Sequence, residues 1–69
     1  MTSNDNTIKL DEFLKLIGIV ATGGQAKLII QGGEVLVNGI LETRRGRKLR
    51  SGDSVTVAEQ TFDVNLDEI

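Results

Sequence analysis

The chain has 69 residues, and its ten acidic residues outnumber its eight basic residues to give a formal net charge of −2. It contains neither cysteine nor histidine, which excludes disulfides and thiolate metal sites and removes the commonest general base. A chain of this length forms one small domain and has no room for a catalytic unit beside a binding unit. We therefore expect a single domain over 1–69 that is not an enzyme and needs no cofactor or metal.

The two ends of the chain differ from its middle. Residues 1–6 are polar, carry no basic residue and lead into no long apolar run, which predicts a flexible N-terminus rather than a signal peptide. Residues 65–69 form an acidic C-terminal tail. No stretch is long and apolar enough to span a membrane, and the missing cysteines fit a reducing compartment. We therefore expect a cytoplasmic protein without membrane contacts.

Near the N-terminus, Ile8 and Leu10 alternate with polar residues and allow a short edge strand. An apolar stripe then predicts a first helix over 11–17, which Gly18 ends. The stripe recurs at helical spacing and consists of Leu10, Phe13, Leu14 and Ile17. Two acidic residues open this helix, where the helix dipole favours carboxylates.

A second helix is predicted over 23–31. Thr22 and Gln25 have the spacing of a capping box, in which the hydroxyl accepts from a backbone N–H and the glutamine side chain reaches back. The apolar face of this helix consists of Ala26, Ile29, Ile30 and Gly33. The glycine pair 32–33 ends the helix, and the four-residue link 19–22 makes the two helices a compact pair.

Strand signals follow the second helix. The runs 34–37 and 40–42 flank Asn38-Gly39, whose residues tolerate the positive φ of a tight hairpin turn. Further alternating residues predict two more strands around a turn at Glu59-Gln60, and they are Val55 and Val57, then Phe62 and Val64. The order of elements predicts an α+β fold, with two helices packed on a small antiparallel sheet of three to four short strands.

Positive charge is concentrated in one short segment. Five of the eight basic residues lie within 44–50, and they are Arg44, Arg45, Arg47, Lys48 and Arg50. Residues 9–50 are net +4, whereas 51–69 are net −5. Such a cluster is typical of a surface that binds a phosphate backbone. The alternative is a solvated loop, in which Lys48 or Arg50 pairs with Glu42 or Asp53.

The start of the second helix is another candidate for anion binding. Thr22-Gly23-Gly24 opens this helix with unpaired backbone N–H groups, and glycine lets a phosphate approach closely. Lys27 lies about one turn further on and can face the same way. The alternative is that Thr22 is only a cap and that the glycines only form the turn. The only aromatic residues, Phe13 and Phe62, occupy core-like positions, so stacking on bases is not expected.

Three segments taken together resemble an RNA-binding family. They are Lys9-Leu10-Asp11-Glu12-Phe13-Leu14, Thr22-Gly23-Gly24-Gln25-Ala26-Lys27 and 30–39. In this order they are similar to the domain named after protein S4 of the small ribosomal subunit, also called the αL motif, and the resemblance covers about residues 8–58. Thr22-Gly23-Gly24 in combination with residues 42–49 is similar to the small stand-alone bacterial members, the YbcJ type. Two positions differ, because Lys9 replaces the family's opening Arg and Gly23 replaces the Arg after its Ser or Thr.

The resemblance implies an RNA-binding module linked to the ribosome, another ribonucleoprotein or RNA metabolism. Because no aromatic residue is expected to stack on bases, we expect recognition of structured RNA mainly through phosphate backbone and shape, by a monomer. The residues that we expect to contact RNA are Lys9, Lys15, Thr22, Gly23, Gly24, Gln25, Lys27, Asn38, Arg44, Arg45, Arg47, Lys48 and Arg50. We expect Arg44, Arg45 and Arg47 to contribute most, from an exposed loop whose mutation leaves the fold intact. The competing interpretation is a protein-interaction adaptor that binds a basic partner through the acidic C-terminal segment.

Overall fold

The computed structural model describes residues 6–66, so the predictions for the N-terminus before residue 6 and for most of the acidic tail fall outside the described residues. The described residues form two helices and six short strands. In chain order these are β1 Ile8–Lys9, α1 Leu10–Leu16, α2 Gly23–Gln31, β2 Val35–Val37, β3 Ile40–Leu41, β4 Lys48–Leu49, β5 Ser54–Val57 and β6 Gln60–Asp63. The predicted α+β class is confirmed.

Both predicted helices are present. α1 begins and ends one residue earlier than predicted, and α2 has the predicted bounds. Thr22 caps α2, because its Oγ1 accepts a hydrogen bond from Gln25 N at 3.1 Å. Gln25 Oε1 accepts from Ala21 N at 2.7 Å, one residue before the cap, so the glutamine reaches back as predicted but to a different donor. Among the described residues, neither helix is long and apolar enough to cross a membrane.

The strands form two antiparallel sheets. The larger sheet has the order β3-β2-β5-β6, in agreement with the predicted number of strands. The smaller sheet pairs β1 with β4, and β4 lies inside the basic stretch. The exposed loop predicted for Arg44, Arg45 and Arg47 does not extend into β4, because Leu49 is fully buried opposite Ile8.

Two hairpin turns connect strands of the larger sheet. Asn38 and Gly39 have φ values of 54° and 80°, which confirms the predicted turn between β2 and β3. The turn between β5 and β6 is formed by Ala58 and Glu59, with φ values of 56° and 64°, rather than by Glu59-Gln60 as predicted. A positive φ is unfavourable for most residues with a Cβ, so this second turn retains backbone strain.

The core lies between the helices and one face of the larger sheet. Its buried apolar side chains are Leu10, Phe13, Leu14, Ala26, Ile30, Val35, Val37, Leu49, Val55, Val57 and Val64. Ten of them come from both helices and from β2, β4 and β5, and Val64 directly follows β6. Through Leu49 the smaller sheet packs against the same core. The prediction of two core-like aromatic residues holds fully for Phe13, whereas Phe62 is only partly buried.

Candidate nucleic-acid interface

The basic stretch is held against the start of α1 by its own backbone. Leu10 N donates to Arg47 O at 2.8 Å, and Asp11 N donates to Arg45 O at 3.1 Å. The first N–H groups of a helix have no partner inside it, and Lys9 at the N-cap position supplies no side-chain acceptor. The carbonyls of the basic stretch satisfy these donors instead. This docking fixes the position of the arginine side chains relative to the two helices.

Glu42 anchors two of the arginines. Only 6% of the Glu42 surface is exposed to solvent. Its Oε2 accepts from the backbone N and the Nε of Arg44, both at 3.0 Å, and its Oε1 accepts from Arg44 Nη2 at 3.2 Å and Arg47 Nη1 at 2.9 Å. Hydrogen bonds from the side chains of Arg44 and Arg47 lower the pKa of Glu42 to about 2. The carboxylate therefore stays ionised at neutral pH and fixes both guanidinium groups.

This arrangement changes two expectations. Glu42 pairs with Arg44 and Arg47 rather than with Lys48 or Arg50. Removal of these two arginines would leave a buried carboxylate without its cationic partners, which is strongly destabilising when a charge is buried. We therefore expect the replacement of all three arginines by Ala to destabilise the fold, contrary to what the sequence alone predicts.

Asp11 anchors the third arginine. Its Oδ2 lies 3.0 Å from Arg45 Nε, and the Asp11 side chain is 13% exposed. The other carboxylate oxygen, Oδ1, is buried and has no hydrogen-bond partner among the described residues. The guanidinium of Arg45 reaches the start of α2, because a Cβ placed on Gly23 would lie 3.3 Å from Arg45 Nη2. Arg45 thus connects the start of α1 to the start of α2, and the glycine leaves room for it.

The start of α2 keeps backbone donors for an anion. Thr22 Oγ1 satisfies the N–H of Gln25, whereas the N–H groups of Gly23 and Gly24 come first in the helix and have no acceptor inside it. Thr22, Gly24 and Gln25 are exposed, and Gly23 is half-buried. With Arg45 Nη2 beside them, these donors form a positive surface of the kind that favours phosphate.

Asn38 forms hydrogen bonds that hold the turn between β2 and β3 against the start of β5. Its backbone N donates to Ser54 O at 2.8 Å, its Nδ2 donates to Asp53 Oδ1 at 3.1 Å, and its Oδ1 accepts from Ser54 N at 2.9 Å. Asp53 Oδ2 also accepts from Arg50 N at 2.9 Å. The hydrogen bond from the Arg50 backbone, followed by that from Asn38, lowers the pKa of Asp53. Asn38 therefore ties the hairpin turn to the start of β5, and its contact with RNA stays a prediction.

Five predicted contact residues have no ion pair within residues 6–66. They are Lys9, Lys15, Lys27, Lys48 and Arg50, and all five are exposed. Lys9 and Lys48 are Cα partners across the β1–β4 pair. Lys15 lies in the last turn of α1 and Lys27 lies on α2. The positive charge of Arg50 contributes to the lowered pKa of Asp53.

Sequence reasoning missed Glu42 and Asp11 as anchors of the arginines. Glu42 directly follows β3 and continues the pairing with β2, since its N donates to Val35 O at 3.0 Å. Asp11 carries no local signal, because its partner Arg45 is 34 residues away along the chain. Within residues 6–66 no group of three or more acidic side chains is placed to hold a metal ion.

Known proteins resemble the chain in sequence and in fold. A family model described as an S4 domain matches residues 1–65. The Bacillus subtilis protein named "Probable ribosome maturation protein RlbA" is 48% identical over 50 residues, which cover 72% of this chain and 70% of that protein. The Escherichia coli protein named "Putative RNA-binding protein YbcJ" is 39% identical over 57 residues, which cover 83% of this chain and 81% of that protein. The trimeric structure of Vibrio cholerae heat shock protein 15 superposes with a TM-score of 0.69 at 22% identity, covering 78% of this chain and 54% of that chain, which shows a shared fold.

Proposed function

Because the chain belongs to the S4 domain family, as its sequence predicts, we propose that it binds structured RNA mainly through the phosphate backbone and the shape of the RNA. One observation supports this mode most: the basic stretch is docked across the starts of both helices. In this region five cationic side chains outnumber two carboxylates. The cations are Lys9, Arg44, Arg45, Arg47 and Lys48, and the carboxylates are Glu42 and Asp11.

The side chains available on this surface favour contacts with phosphate over contacts with bases. Phe13 is buried and Phe62 is half-buried, and the chain has no other aromatic residue. Single-stranded RNA is usually recognised by stacking its bases on exposed aromatic rings. Lysine, arginine and helix N–H groups instead contact phosphates, whose positions depend on the shape of a folded RNA.

We further propose that the RNA bound in the cell is ribosomal. The Bacillus subtilis relative is named as a ribosome maturation protein, and it shares almost half of the aligned residues with this chain. The protein then acts as a cytoplasmic monomer on the RNA of a ribosome or ribosomal precursor and catalyses no reaction itself. The target RNA is structured in this setting, which agrees with a surface that reads backbone and shape.

A fluorescence titration of a labelled hairpin RNA at several salt concentrations tests the proposal. If about four phosphates are contacted, the affinity falls with salt with a log–log slope of about −3. A single strand of the same length and composition should bind more weakly than the hairpin. The proposal fails if no structured RNA binds at low salt, or if binding does not depend on salt. The adaptor alternative predicts instead a cellular complex with a basic protein that survives RNase treatment.

A further inference from the structure

The smaller sheet brings two lysines directly opposite each other. Lys9 and Lys48 are Cα partners in the antiparallel β1–β4 pair, next to the partners Ile8 and Leu49. Leu49 is fully buried, and Ile8 packs against the core. Because side chains alternate between the faces of a strand, Lys9 and Lys48 share the opposite face, and both are exposed to solvent.

Such a pair carries an electrostatic cost. Residues directly opposite in an antiparallel pair have Cβ atoms about 5 Å apart, and like charges at these positions destabilise the sheet. Neither lysine has an ion pair within residues 6–66. In contrast, Arg44, Arg45 and Arg47 each have a carboxylate within 3.0 Å. The three arginines therefore share two carboxylates, whereas the two lysines have none within residues 6–66.

From this contrast we infer that the Lys9–Lys48 pair is the main phosphate contact of the protein, whereas the three arginines chiefly shape and support the surface. The inference rests on the proposed RNA binding and reverses the order of importance expected from the sequence. An ammonium group is a compact charge with three rotatable donors and binds phosphate readily. Two such groups this close hold a single phosphate or span two successive ones, and the bound negative charge removes their repulsion. Phosphates need not compete with Glu42 or Asp11 for these lysines.

The surroundings of the pair favour a polymer of phosphates over an isolated anion. Lys9 precedes Leu10, whose N–H is bound to Arg47 O, and Asp11 beside it holds Arg45. Arg45 in turn lies at Gly23, the start of α2. Positive groups therefore continue from the lysine pair to the N–H groups of the second helix. An RNA strand presents phosphates repeatedly along such a path.

The test compares two variants of the full chain that each lose two positive charges. Lys9→Gln/Lys48→Gln removes the opposed pair, and Lys15→Gln/Lys27→Gln removes two exposed lysines from the helices. Each lost phosphate contact should reduce the salt slope by about 1, so the first variant should lose about 2. At 0.1 M salt this corresponds to an affinity loss on the order of 10- to 100-fold for hairpin RNA. Because Lys15 and Lys27 are also among the residues expected to contact RNA, the second variant should lose some affinity too, but less affinity and less slope than the first. Equal losses in the two variants would overturn the inference.

A melting experiment separates lost contacts from lost structure. Removal of both charges of the opposed pair relieves their repulsion, so Lys9→Gln/Lys48→Gln should melt at or above the temperature of the wild type. Lys48→Glu places opposite charges across the strands, and it should melt higher than the wild type while binding RNA more weakly. A lower melting temperature of Lys48→Glu contradicts the repulsion on which the inference depends.

The remaining outcomes distinguish the inference from the proposed function. If the wild type binds hairpin RNA and Lys9→Gln/Lys48→Gln binds it equally well with the same slope, the inference is overturned and the proposed function stands. If the wild type binds no structured RNA, the proposed function fails first. If polyglutamate binds the wild type as tightly as hairpin RNA and the double variant loses both, the pair is a docking site for acidic protein and the inference is wrong.

Discussion

Replacement of Glu42 by Gln tests whether the ion pairs beneath the basic stretch stabilise the fold. The pKa of Glu42 is lowered from its ordinary 4.5 to about 2, chiefly by hydrogen bonds from Arg44 and Arg47. This lowering of the Glu42 pKa corresponds to at most about 3 kcal/mol of stabilisation of the folded state. The Arg44 side chain is 74% exposed, so solvent screens part of this interaction and we expect about 1–2 kcal/mol to be realised. A domain of this size has a total stability of about 3–10 kcal/mol, so the loss is measurable.

The pH dependence of the effect has a definite sign. A carboxyl group whose pKa is lower in the folded state stabilises the fold above its unfolded pKa, and this contribution disappears as the pH falls through the folded value. For Glu42 the stabilisation is complete above about pH 5 and is lost toward pH 2. Asp53, whose pKa is also lowered, loses stabilisation at acid pH in both proteins, so it cancels in the comparison.

Urea unfolding followed by circular dichroism at pH 7, 5, 3 and 2 measures this difference. Glu42→Gln should be less stable than the wild type by about 1–2 kcal/mol at pH 7, and the two should converge near pH 2. Glu34→Gln is the matched control, because Glu34 is exposed and forms no ion pair within residues 6–66. The free energy of unfolding of this control should differ from that of the wild type by less than about 0.5 kcal/mol. Equal stability of Glu42→Gln and wild type at pH 7, or a difference that persists unchanged at pH 2, would refute the reasoning.

Two further changes test the local structure through thermal or urea unfolding. Thr22→Ala removes the acceptor for Gln25 N at the start of α2 and should lower the free energy of unfolding by about 0.5–2 kcal/mol. Thr22→Ser keeps a hydroxyl acceptor and should therefore keep most of the stability that the cap contributes. An unchanged stability of Thr22→Ala would show that the cap is not needed. Ala58→Gly relieves a positive φ of 56° in the second hairpin turn and should raise the free energy of unfolding by about 1 kcal/mol. A decrease would mean that the turn is not strained.

The sequence predicts those elements whose signals are local. The bounds of α2 follow from Thr22 and Gln25 at its start and from the glycine pair after it, and the hairpin turn at Asn38-Gly39 follows from the preference of both residues for positive φ. The second turn lies at Ala58 and Glu59, one residue before its predicted position, and neither residue is a typical turn former that would reveal it. Local chemistry therefore fixes most boundaries, and errors occur where the turn is held by the strands around it.

The candidate site is less predictable because its contacts join distant parts of the chain. β4 is only two residues long within a run of charges, and its partner β1 lies almost 40 residues earlier, so alternation cannot reveal it. The pairing of Arg45 with Asp11 and the opposition of Lys9 and Lys48 depend on that same sheet. The sequence identifies which cations are concentrated in the chain, but only the fold shows which of them have carboxylate partners.

The most direct test of the central claim is crosslinking of the full chain to RNA in a bacterial host, followed by sequencing of the bound RNA. The account predicts that structured RNA is recovered with the wild type, with ribosomal RNA foremost, and that the yield falls strongly for Lys9→Gln/Lys48→Gln. Recovery of no RNA above the background of an untagged strain, together with protein partners that persist after RNase treatment, would contradict it.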